Sequence, residues 1–290
     1  MADLLGETLS PSVLVPYGIS ERKDLRTIFS EFRKEIKLLT GLNSQEFLNR
    51  ILEIEGLFME KLSGSELKLL ALASETIGVA IKNKNANLGP QNERTKSHEA
   101  ALESIELQRE VVKIALANTD SGSGKYNKNV AYYFAILSEI YRDHFQSQRS
   151  QDGELGIHLE AGFLRGIRGM VTTAFLFNAL GWEVALPDPD WDYLYDIDLI
   201  VRTPHGKVFG VDVTAKRYTA TGELMTPFFV SRKSPENGTP DFLRESMDFL
   251  RVNVPPLASY ASEGFYKNRP LGLPNEIKIR EFGTMLAQIK

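Results

Sequence analysis

The amino-acid sequence predicts a mixed fold, α+β or α/β, in which a helical N-terminal region precedes a small mixed sheet flanked by helices. Three observations predict it. Apolar residues recur at intervals of three and four, almost without a break, from about Gly18 to Gln148. Beyond the polar stretch QSQRSQDGELG, Gln146 to Gly156, short apolar runs alternate with period two and are separated by Gly, Pro and Asp. The chain of 290 residues also exceeds the usual size of one domain. A division into 1–150, helical, and 151–290, mixed, follows.

Each N-terminal element has its own signal. In DLRTIFSEFRKEIKLL, the residues Leu25, Ile28, Phe29, Phe32, Ile36 and Leu39 make one apolar stripe. SQEFLNRILEIEGLFMEKL reads the same way, as do SGSELKLLALASETIGVAIKN and SHEAALESIELQREVVKIALAN. A further helix, NKNVAYYFAILSEIYRDHF, follows the loop TDSGSGKYNKN, and a bundle is the expected packing. No fixed-period repeat is present.

After the boundary comes a helix, IHLEAGFLRGIRGMVTTAFLFNAL, stopped by Gly181. Then follow a strand WEVAL, a Pro/Asp loop, a strand DIDLIV, the turn RTPHGK and a strand VFGVDVTAK. LMTPFFVSRK predicts another strand, DFLRESMDFLRV a helix, and NEIKIREFGTMLAQI a terminal helix. The apolar run from Gly169 to Trp182 is shorter than the roughly 20 residues a membrane span needs, so a buried core helix is expected.

Composition narrows the chemistry. With 42% apolar and 25% charged residues the chain is ordinary globular material, and its net charge of −4 shows no basic excess. The absence of cysteine excludes disulfides, thiolate zinc, iron–sulfur clusters and a cysteine nucleophile. The N-terminus lacks a basic segment followed by a sustained apolar stretch, so a cytoplasmic protein is expected.

Several apparent motifs fail on their chemistry. GSGK at Gly122 to Lys125 has Tyr126 where a phosphate loop places Ser or Thr. HLE at His158 to Glu160 lacks the cysteine pair of a zinc deaminase. Gly162, Gly166 and Gly169 miss the dinucleotide spacing and are expected to let another element approach the helix closely.

One constellation remains. Alternation in DIDLIV sets Asp196 and Asp198 on one strand face, and in VFGVDVTAK it groups Asp212, Thr214 and Lys216. RTPHGK suits a hairpin turn, so the two acidic faces can coincide. Aspartates that close repel unless a cation lies between them, and hard oxygen ligands suit magnesium or manganese. The bland alternative is decoration of a solvent face, with Lys216 and Asp198 as a surface ion pair.

The stretch from about Ile157 to Tyr218 resembles the PD-(D/E)XK nuclease superfamily, the restriction-endonuclease-like fold, in its order of helix, LGWEV, DIDLIV and VFGVDVTAK. The resemblance implies that Asp198 and Asp212 hold the metal, that a lysine orients or activates the attacking water, and that an acid on the preceding helix assists. Glu160 is the one acid of that helix, about 15 Å along the axis from the family's usual position near Met170. The sequence departs from the pattern at Thr214, where the family has Lys. Three readings stay open: a lysine migrated to Lys216, a motif ending in Thr214-Ala215-Lys216, or loss of catalysis.

The implied function is magnesium- or manganese-dependent hydrolysis of DNA, with a restriction-type endonuclease as one form of it. There SRKSPENGTP and YKNRP would meet phosphate and base edges. DNA is the expected partner, a homodimer is compatible with the reading, and no membrane is involved. The alternative is an inactive nuclease-fold module that binds nucleic acid or protein.

Overall fold

The computed structural model describes residues 6–62, 64–87, 94–120, 125–141, 163–214, 228–254 and 273–289. Strand β1 (Glu7–Thr8) and the short α1 (Pro11–Leu14) lead into α2 (Leu25–Lys37), α3 (Ser44–Phe58), α4 (Ser65–Asn87) and α5 (Arg94–Ala117). A small hairpin, β2 (Thr119–Asp120) with β3 (Lys125–Tyr126), precedes α6 (Lys128–Tyr141). Each of the five amphipathic stretches is thus helical within its described residues. In α2 the buried residues are Leu25, Ile28, Phe29, Phe32 and Ile36, the stripe seen in the sequence. Helix α3 begins with a capping box, Asn43 accepting from the amides of Gln45 and Glu46 while the Glu46 carboxylate accepts from the Asn43 amide.

Beyond residue 150 the first helix among the described residues is α7 (Arg165–Ala179), buried along most of its length. No described helix is long and apolar enough to cross a membrane. Gly166 serves the close approach expected of it, since a Cβ there would lie 3.2 Å from Gln108 Oε1 on α5. Gly181, at φ +76, turns the chain out of α7 into β4 (Glu183–Leu186). Next come α8 (Pro189–Tyr195), β5 (Leu199–Arg202), β6 (Val208–Thr214), β7 (Phe229–Arg232), α9 (Asp241–Ser246), β8 (Asp248–Asn253) and α10 (Glu276–Gln288).

Apart from the β2–β3 hairpin, the described strands form one six-stranded mixed sheet in the order β1-β4-β5-β6-β8-β7. All neighbours are antiparallel except β6 and β8. RTPHGK makes the expected hairpin: Thr203 N–H donates to Lys207 O at 2.8 Å, and Gly206 takes φ +84.

The two faces of β6 meet different cores. Phe209 and Val211 join a large apolar cluster that runs from Leu9 through the helices and α7 to Phe282. Gly210 faces a smaller cluster containing Ala185, Ile197, Ile200, Leu243, Met247 and Phe249. A Cβ at Gly210 would sit 3.0 Å from the Met247 sulfur, so glycine there lets α9 and β8 close over β6. The expected boundary near residue 150 lies outside the described residues, but apolar side chains from both sides of it share the large cluster.

Three elements differ from expectation. The Pro/Asp loop contains α8, because Asp188 caps the amide of Asp190 and Pro189 stands at the first helical position. DIDLIV is strand only from Leu199, because Asp196 closes α8 in the left-handed region at φ 50, ψ 49. DFLRESMDFLRV divides into α9 and β8, since Leu250 and Val252 alternate with Phe249 and Arg251 along a strand parallel to β6.

Phe177 of α7 lies fully buried, 5.1 Å from the Trp182 ring and 4.9 Å from the Phe282 ring. Phe177→Ala is expected to lower unfolding free energy by about 3–5 kcal/mol, read as a lower urea midpoint.

Candidate functional site

Asp198 stands at the head of β5. Its N–H donates to Val211 O at 2.9 Å, while Leu199 is already the register partner of Val211. Two residues of one strand therefore oppose one of the other, the arrangement of a β-bulge, which re-aims the Asp198 side chain. The carboxylate Oδ2 accepts the Val213 amide at 2.6 Å. Burial above all, then the charge of Asp192, pushes the Asp198 carboxyl well above its usual range, and the Val213 bond only partly offsets this.

Asp212 lies in the middle of β6, paired in register with Arg251 of β8, and is 9% exposed. Its Oδ2 accepts from Arg251 Nε at 2.8 Å and Nη2 at 2.6 Å, and lies 2.9 Å from Lys233 Nζ. Lys233 directly follows β7; its amine also lies 3.0 Å from Glu236 Oε1 and 3.3 Å from Asp196 Oδ2. Burial pulls the Lys233 pKa down, but the hydrogen bond and charge of Asp212 outweigh it, with Glu236 and Asp196 adding to the net rise.

Asp198 and Asp212 stand on the neighbouring strands β5 and β6, and the charge of Asp212 adds to the rise of the Asp198 carboxyl. Asp196 stands beside them as a helix cap rather than as a strand residue. Lys216 and Glu160 lie outside the described residues. Thr214 ends β6, two residues beyond Asp212.

Sequence reasoning missed Asp192, Lys233 and Arg251. Lys233 was visible within SRKSPENGTP, assigned there to a surface recognition loop, yet its side chain is 7% exposed and turned onto Asp212. Arg251 was hidden by reading β8 as helix; a two-residue period in DFLRVN was the available signal. Asp192, on α8, is pushed up to about 7, chiefly by burial, with Arg109 lowering it and Asp196 and Asp212 raising it.

Hard carboxylate oxygens beside a buried amine form a donor set compatible with magnesium or manganese, which use one or two protein carboxylates and keep waters. Asp198 and Asp212 could supply them. Among the described residues no group of three or more His, Asp or Glu side chains converges on one point. No family model, curated protein or solved structure matches the chain.

The raised Asp192 pKa has a defined consequence for stability. Between about 4, the ordinary unfolded value, and about 7, the folded protein binds more protons than the unfolded one. Stability therefore falls as pH rises through this window, and the loss is complete above it. Asp192→Asn should gain on wild type in melting temperature between pH 5 and about pH 8. Parallel curves would contradict it. Glu55, also pushed up to about 7 by burial in the helical region, contributes equally to both proteins and cancels.

Proposed function

We propose that this protein hydrolyses DNA phosphodiester bonds with magnesium or manganese, on a core resembling the PD-(D/E)XK nucleases. One observation carries the reading: a bulge-directed Asp198 and an in-strand Asp212 share a site with the buried amine of Lys233, 2.9 Å from Asp212. The order of α7, β4, Asp198 at β5, hairpin and Asp212 in β6 supports it. So does the charge balance. Asp192, Asp196, Asp198 and Asp212 outnumber the cations Lys233 and Arg251 beside Asp212, and their mutual repulsion adds to the burial that chiefly raises the carboxyls of Asp192 and Asp198. A divalent cation would relieve that field.

In this reading Asp198 and Asp212 would hold the metal, which when bound would polarise the substrate's phosphoryl oxygen and make a bound water more acidic. Lys233 provides the positive charge that Thr214 cannot, stabilising negative charge on the phosphoryl oxygens as water attacks. The bond from Val213 to Asp198 and the Arg251 fork on Asp212 keep both carboxylates oriented. Lys216 remains the alternative source of that charge.

One observation favours the second reading, a non-catalytic nucleic-acid- or protein-binding module. Arg251 and Lys233 already satisfy Asp212 Oδ2 without a metal.

Purified protein incubated with manganese and duplex, branched or single-stranded DNA separates the two. Lys233→Ala should slow cleavage on the order of 100-fold while leaving manganese affinity nearly intact, the scale of one preorganised electrostatic group. Asp212→Asn should lose both manganese binding and cleavage. No cleavage of any substrate, with equal manganese binding by wild type and Asp212→Asn, would favour the binding module.

A further inference from the structure

Three segments far apart in the sequence meet behind the carboxylate site. Glu7 of β1 places Oε2 2.7 Å from Lys113 Nζ and 3.8 Å from Arg109 Nη2, both on α5. Arg109 Nη1 donates to the carbonyl of Pro187, the residue before the Asp188 cap of α8. The guanidinium is 12% exposed, and the charges of Asp192 and Asp188 act on it alongside that of Glu7. Nearer the start of α5, His98 Nε2 lies 3.3 Å from Asp190 Oδ1, and its ring stacks on Tyr193 at 4.6 Å.

Helix α8 has seven residues, too few to hold its own shape in water. Its last turn runs into the left-handed Asp196, and Asp198 follows two residues later. The placement of α8 therefore decides where the Asp198 carboxylate meets β6. Arg109 grips its entry and His98 its outer side, both from the helical region.

We infer that Arg109 is a positioning residue for the carboxylate site, bracing α8 so that Asp196 to Asp198 joins β6 in the bulged arrangement. The inference rests on the metal-site reading above and gives the N-terminal helices a part in it. An arginine fits the task because one fork addresses the Pro187 carbonyl and the Glu7 carboxylate together, which a single ammonium does less well.

The test is manganese titration calorimetry on the full chain, well below the melting temperature of each protein, for wild type, Arg109→Met, Arg109→Lys and Asp212→Asn. Arg109→Met should weaken manganese binding about 10-fold or more, the usual scale for groups that orient metal ligands. Arg109→Lys should fall between it and wild type. Wild-type affinity in folded Arg109→Met, with binding lost in Asp212→Asn, would overturn this inference and leave the metal site standing. Equal binding by wild type and Asp212→Asn would remove the metal site and this inference with it. Should Arg109→Met fail to fold, Arg109→Lys decides, and wild-type affinity there would overturn the role.

Discussion

A carboxylate within a central strand is tolerable only with opposite charge against it, and the arrangement around Asp212 follows from that constraint. Arg251 reaches it from β8, its register partner in the parallel pair, and Lys233 from the end of β7. The two cations come from the last strands added to the sheet. Pairing of β8 with β6 and of β7 with β8 thus brings together charges that no segment could balance alone. Arg251 is 42% exposed on its side chain, so part of this neutralisation faces solvent.

The packing on that side of β6 is arranged to leave room. Gly210 lets Met247 and Phe249 press directly onto the strand, while two residues further on Asp212 replaces apolar contact with charge. The opposite face has no such break. Phe209 and Val211 join the large core, where Trp182 stacks on Phe209 at 5.8 Å and Phe177 packs on Phe282. One strand therefore carries a continuous apolar seam on one side and the candidate site on the other, and the rigidity of the first serves the second.

Asp198 reaches the site by different means. The left-handed Asp196 and the bulge at Asp198 and Leu199 are both departures from regular strand, and together they turn α8 into β5 within a few residues. A left-handed conformation in a non-glycine residue costs about 1 kcal/mol or more. Aspartate tolerates it better than most, and the Lys233 amine beside its carboxylate adds a compensating contact.

Much of the architecture was legible in the sequence because it follows from local periodicity. The stripe from Leu25 to Ile36, the stop at Gly181 and the hairpin through Gly206 each follow from residues near one another in the chain, whereas regular alternation did not show the left-handed Asp196 and the bulge through which Asp198 meets β6. The tertiary structure alone decided which cations meet those aspartates. Arg251 is brought to Asp212 by the parallel pair of β6 and β8, whose partners are separated by a long connection and leave no turn signal, and Lys233 by β7 pairing antiparallel with β8. It also decided that Arg109 donates to the carbonyl of Pro187, 78 residues further on and just ahead of α8, because contacts across packed elements have no period a sequence can display.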